Sequence, residues 1–129
     1  MHVLGSRVLL RPTSFAASVS FYEHTLGLVR YREWGQAPQR GVVYFLGGGY
    51  LELSESHTPA TPSGVRLWLQ VADVTAAAQE LAGAGARVLA PPRREPWGLI
   101  EMTVADPDGL ELVVVEVPED HPLRRDLRS

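Results

Sequence analysis

The chain of 129 residues contains no cysteine. It can therefore form no disulfide, no thiolate zinc or iron–sulfur site and no cysteine nucleophile. Lysine is absent too: all twelve basic residues are arginine, a bias from which no function is read. No apolar run approaches the roughly 20 residues that a membrane span needs, and no long apolar stretch of the kind a secretory signal carries stands at the N-terminus. Positive charge is sparse, with twelve basic against fifteen acidic residues and a net charge of −3. Phosphate binding needs concentrated positive charge, so nucleic acid is not an expected partner. The two basic clusters are Arg93-Arg94 and the C-terminal Arg124, Arg125 and Arg128, the latter read as a solvated tail. A cytoplasmic chain that engages neither nucleic acid nor membrane is expected.

What is present suits one globular domain over 1–129. Hydrophobic residues make up 45% and charged residues 21%, enough to build a core. Residues 6–12 read as a strand ended by Pro12. Thr13 or Ser14 caps a helix that carries Phe15, Val19 and Tyr22 on one face and stops near Gly27. Strands follow at Val29–Trp34, Gly41–Leu46 and Tyr50–Ser54, with a polar turn at Gly35–Arg40 and a hairpin at Gly47-Gly48-Gly49. Residues 57–64, rich in Thr, Pro and Ser, read as a linker.

The second half repeats the order. Val65–Val71 is a strand, Asp73 caps an Ala-rich helix over Val74–Ala84, and Gly83 and Gly85 end it. Ala86–Ala90 is a strand and Pro91–Pro96 a Pro- and Arg-rich loop. Leu99–Val104 is a strand, Asp106-Pro107-Asp108-Gly109 a tight turn, and Leu110–Val117 the closing strand. Ser14 to Gly27 thus lies over Asp73 to Ala86. Such a repeat predicts an α+β fold of two βαβββ modules, residues 1–58 and 65–117 with a tail over 118–129. Paired, they would form a curved mixed sheet around a cleft.

Four pieces of sequence carry a resemblance. They are Phe21-Tyr22-Glu23-His24-Thr25-Leu26-Gly27-Leu28, Gly49-Tyr50-Leu51-Glu52-Leu53, Glu95-Pro96-Trp97-Gly98 and Ala105-Asp106-Pro107-Asp108-Gly109. In this order, across nearly the whole chain, they resemble the vicinal-oxygen-chelate superfamily of glyoxalases, bleomycin-resistance proteins and dioxygenases. The resemblance implies a cleft, often with a divalent metal held by His or Glu from the first strand and Glu from the last strand of each module. Carried onto this chain, those positions fall on Arg7, Glu52, Arg66 and Val113. Glu111 takes the fourth position if the last hairpin is two residues shorter than usual, since a shift of two keeps the same face. Only Glu52 keeps a ligand type, because arginine carries a fixed positive charge without a usable lone pair and valine has no donor atom. No metal and no other cofactor are expected; a divalent metal on Glu52 and Glu111 is the alternative. His2, His24, His57 and His121 read as exposed residues with no ligand role, His57 being notable because it lies just past Glu52.

Arg7, Glu52 and Arg66 are expected to point into one cleft. Two readings stand side by side: an internal Arg–Glu–Arg salt-bridge cluster, or a positive site for a carboxylate or phosphate. Trp68 and Gln70 share the face of Arg66, and Tyr50 that of Glu52. Trp97 sits at the mouth in a Pro/Gly loop, and Glu101 lines the cleft or faces solvent. Arg7, Tyr50, Glu52, Arg66, Trp68, Trp97 and Val113 are thus the ligand-binding candidates. The serines show no nucleophile elbow, and Gly47-Gly48-Gly49 lacks the Lys and helix of a phosphate loop. The leading expectation is a metal-free binder of an organic, anionic or aromatic molecule, of the bleomycin-resistance type and hence of possible antibiotic-resistance use, acting as a homodimer. The alternative is a lyase, isomerase or dioxygenase that uses Glu52 or Glu111 as acid/base or metal ligand. A third reading is a partner-binding protein whose cleft is filled by its own side chains.

Overall fold

The structure, a computed structural model, describes residues 1–60 and 63–125. Two βαβββ modules make up an α+β fold. The chain divides into two compact units, Met1–Gly64 with Pro107–Leu110, and Val65–Asp106 with Glu111–Ser129.

In the first unit, β1 (Arg7–Leu10), β2 (Arg30–Trp34), β3 (Gly41–Leu46) and β4 (Gly49–Ser54) form a mixed sheet in the order β1-β4-β3-β2. β1 runs parallel to β4 and the other pairs are antiparallel. The α1 helix (Phe15–Val19) widens into a π-helix over Ser20–Thr25. Its N-cap is Ser14, whose hydroxyl accepts from the Ala17 N–H at 3.1 Å. Such a cap satisfies an N–H that the first helical turn otherwise leaves unpaired. Ser14→Ala is expected to cost about 1 kcal/mol, read as a lower urea midpoint at unchanged slope.

The buried helical stripe differs from the expected one. Ser18, Phe21 and Tyr22 are buried, whereas Phe15 and Val19 are only partly covered. The Leu26 N–H reaches back five residues to Phe21 O at 2.8 Å, which rotates the second half of the helix relative to a 3.6-residue count. Beneath it, Leu10, Val42, Tyr44, Leu51 and Leu53 form the buried side of the sheet. These residues alternate with the opposite face because strand side chains do.

The second unit has β5 (Arg66–Val71), β6 (Arg87–Arg94), β7 (Ile100–Ala105) and β8 (Glu111–Glu116) in the order β5-β8-β7-β6, again with a parallel first pair. Asp73 caps α2 (Val74–Gly83) by accepting from the Ala76 N–H at 3.0 Å. Val74 and Leu81 of α2 are buried, as are Met102, Val104, Leu112 and Val114 on the sheet.

Three expectations need correction here. Pro91-Pro92 does not break the chain into a loop, because β6 runs on to Arg94. β6 is the outer strand, where a missing N–H costs no ladder bond, and the register slips by one residue between Ala90 and Arg93. The 57–64 segment is tied down in part: the Ala60 N–H donates to Arg11 O at 3.0 Å. The tail contains a short helix, α3 (Pro122–Arg125). Arg128, part of the expected basic tail, and positions 61–62 of the linker lie outside the described residues. Among the described residues no helix is long and apolar enough to cross a membrane.

Candidate functional site

In the first module the pleat sends Arg7 and Leu9 of β1, Tyr50, Glu52 and Ser54 of β4, and Val43 and Phe45 of β3 to the face opposite the helix. Arg7 and Glu52 meet there: Arg7 Nη1 donates to Glu52 Oε1 at 2.9 Å. The other carboxylate oxygen accepts from the Ser54 hydroxyl at 2.7 Å. Both oxygens of Glu52 are thus engaged, with the side chain 16% exposed.

Next to this pair stands an aromatic group of which only Tyr50 is among the expected binding residues. The rings of Tyr31, Phe45 and Tyr50 lie 5.1 to 5.8 Å apart, centroid to centroid. The Arg7 guanidinium sits 5.7 Å from the Tyr50 ring centre. Tyr31 reaches this face by alternation from Arg30, which is paired with Tyr44 on the helix side; the bulge that follows returns Glu33 to the side of Arg30. Leu9, 65% exposed, and Phe45, 44% exposed, lie open beside it.

The second module presents the matching face. Arg66 is paired in register with Glu111, Trp68 with Val113 and Gln70 with Val115. In the first module Arg7 is paired with Tyr50 and Leu9 with Glu52. Laying Arg66 on Arg7 therefore puts Glu111 where Tyr50 stands and Val113 where Glu52 stands. The hairpin is not two residues short, so Glu111 does not take the Glu52-like position. Arg66 finds its counter-charge within its own module, Nε lying 3.5 Å from Glu111 Oε1. Each module thus holds an Arg–Glu pair of its own. Trp68 is 50% and Trp97 57% exposed. The indole N–H of Trp97 donates to Glu101 Oε2 at 2.6 Å, so Glu101 anchors that indole.

His121 corrects another expectation. It is partly buried, and its ring spans two backbone groups. The Leu123 N–H donates to Nδ1 at 3.2 Å, and Nε2 lies 2.9 Å from Trp97 O. Since a backbone N–H only donates and a carbonyl only accepts, Nδ1 accepts in this arrangement and Nε2 donates. The ring holds the Trp97-Gly98 turn in place; Gly98 has φ +92°, and an added Cβ would approach His121 Cδ2 to 3.1 Å. His121→Ala is expected to leave the fold intact and speed amide exchange at Trp97 and Gly98, read by hydrogen exchange.

Charge on the helix side of the first module is also paired. Arg40 grips Glu55 through two bonds of 2.8 Å, and its own N–H adds a third at 3.1 Å. These bonds hold the Glu55 carboxyl at about 2, against an ordinary 4.5. A carboxylate lowered in the folded state stabilises above its ordinary value, and that contribution fades as pH falls from about 4.5 to about 2. Acid titration of the urea midpoint is thus expected to show a loss in that window that is shallower in Arg40→Gln. Burial and the nearby Glu23 carboxylate push the Tyr44 hydroxyl up to about 12, so it stays protonated and donates to Glu23 Oε1 at 3.1 Å.

The four family metal positions do not fit a divalent cation. Arg7 and Arg66 would repel it, Val113 offers no donor and Glu52 is spent on Arg7 and Ser54. Among the described residues no group of three His, Asp or Glu is arranged to hold one.

The fold has many solved counterparts. TioX from Micromonospora sp. ML1 is 20% identical, with a TM-score of 0.74 over 90% of this chain and 100% of its own. A glyoxalase-related enzyme from Fulvimarina pelagi is 22% identical, with a TM-score of 0.72 over 92% and 90%. A superfamily member from Sphaerobacter thermophilus DSM 20745 is 21% identical, with a TM-score of 0.69 over 89% and 98%. No curated protein matches in sequence. The sequence model of one family spans residues 4–114. Module repeat, strand order and sequence agree, and the chain belongs to the Glyoxalase/Bleomycin resistance protein/Dioxygenase superfamily.

Proposed function

We propose that the protein binds a flat aromatic organic molecule without a metal and without chemistry on it. The observation that carries this reading is the open cluster of Tyr31, Phe45 and Tyr50 beside Leu9 on the first module's sheet face. Leaving such surface in water forgoes roughly 25 cal/mol per Å², a cost that a ligand-binding face explains. Aromatic rings prefer offset or tilted stacking on another π-face. The anionic half of the sequence expectation is not retained. Each arginine has a carboxylate partner, Arg7 with Glu52 and Arg66 with Glu111, so neither offers an uncompensated charge. Trp68 and Trp97, both half-exposed, supply further aromatic surface in the second module. Holding an aromatic antibiotic or toxin in this way would protect by sequestration.

The test is a titration with 2-naphthol, a flat neutral probe, followed by backbone amide shifts. Saturable shifts at Tyr31, Phe45 and Tyr50, unchanged by EDTA, are expected. Elemental analysis of protein purified without chelator is expected to find no stoichiometric metal. A metal near one per chain with EDTA-sensitive binding would overturn the reading in favour of a lyase, isomerase or dioxygenase.

A further inference from the structure

The first module has a second concavity, on the helix side of its sheet. It follows from how the helix sits. The buried stripe of Ser18, Phe21 and Tyr22 is pressed onto the sheet, and α1 packs against β4. β2, two strands away, is exposed along its whole length. Between helix and β2 lies a groove of about 730 Å³, within the usual range for a small-molecule site.

The lining combines apolar surface with one charged end. Phe15, Val19 and Val42 supply the apolar part. Arg40 covers the Phe15 ring at 4.7 Å, and its own charge is cancelled by Glu55. At the β2 end Arg30 is held by two carboxylates. Its Nε and Nη2 donate to Glu23 Oε1 at 2.8 and 2.5 Å, and its Nη1 donates to Glu33. Two negative charges against one positive leave this end with an excess of one negative charge. Glu33 is the accessible one, its side chain 64% exposed. His24 lies 3.7 Å from Glu23.

We infer that this groove binds a small primary amine bearing an aromatic or branched apolar group. The apolar body lies on Phe15, Val19 and Val42, and the ammonium faces Glu33. An ammonium donates to carboxylates through charge-assisted hydrogen bonds that a neutral hydroxyl cannot match. The site stands apart from the aromatic face, because Arg30 and Glu33 are in register with Tyr44 and Val42 on the helix side of β3.

The probe is phenethylamine, titrated at about pH 8, well below the range in which a primary ammonium loses its proton. Saturable amide shifts are expected at Ala16, Val19, Ser20 and Val42. Phenethyl alcohol is expected to bind about tenfold more weakly, and Glu33→Gln to weaken the amine about tenfold while leaving the alcohol unchanged. Ala16→Phe, which fills the groove without touching its charges, is expected to abolish binding of both. Shifts confined to Tyr31, Phe45 and Tyr50 would overturn the inference, as would equal affinity for amine and alcohol or no saturation by roughly 20 mM, far weaker than a millimolar site. Tyr50→Ala removes the other face and is expected to leave this titration unchanged, so the two sites fail independently.

Discussion

Val113→Glu, the substitution that would restore a family metal ligand, is expected to destabilise the protein by about 3–5 kcal/mol. Val113 is 5% exposed and belongs to a buried apolar cluster with Leu99, Val115 and Val117. A carboxylate there either ionises in an apolar setting or is forced neutral, and both states cost free energy. The nearest arginine along the ladder, Arg66, is already paired with Glu111. Urea unfolding with and without Mn²⁺ reads the effect. A variant of near-parental stability that gains further stability from Mn²⁺ would show a damaged metal site needing only its missing ligand, and the present account of this face would fall.

Tyr50→Ala is expected to weaken 2-naphthol binding about tenfold or more, equivalent to about 1.4 kcal/mol. Tyr50 is the ring on which the group converges: it touches Tyr31 at 5.1 Å and Phe45 at 5.8 Å and carries Arg7 at 5.7 Å. Aromatic pairs contribute about 0.5–1.5 kcal/mol beyond their buried area, so removal of one ring both deletes a stacking surface and loosens two neighbours. Tyr50→Phe keeps the ring and is expected to bind nearly as the parent does. Equal loss in both variants would point to the hydroxyl instead, and no loss in either would move the ligand off this face.

Most of the architecture was legible because it rests on local rules. Ser14 and Asp73 announce their helices by side-chain capping, and the apolar alternation of Ile100, Met102 and Val104 marks a strand with one buried face. The helical face of the first module was legible in part: Tyr22 is buried as its spacing has it, whereas Phe15 and Val19 are only partly covered. Pro91-Pro92 misled because proline forbids a central strand, and only the sheet order reveals that β6 is an outer one. At the site, Arg7 and Glu52 were legible only as positions that the family resemblance implies. Tyr31 and Phe45 were not legible. Each was read only as part of a strand, and which rings meet is set by the register between β2, β3 and β4, which alternation within one strand does not give. A motif rich in aromatic residues on two neighbouring predicted strands was the one available signal.

The bulges have a consequence of another kind. The edge strands β2 and β6, each one of the two outer strands of its sheet, both carry them, and β6 adds two prolines while β2 carries Arg30, Arg32 and Glu33. A growing fibril extends by docking flat, unbroken strands at a spacing of about 4.7 Å. Neither border offers such a template, since its donors and acceptors fall out of step and its charges repel a like neighbour. Concentrated solutions of the folded chain are therefore expected to resist cross-β growth that starts from β2 or β6. Straightening β6, as Pro91→Val with Pro92→Thr would do, should be the quickest route to thioflavin-positive aggregates.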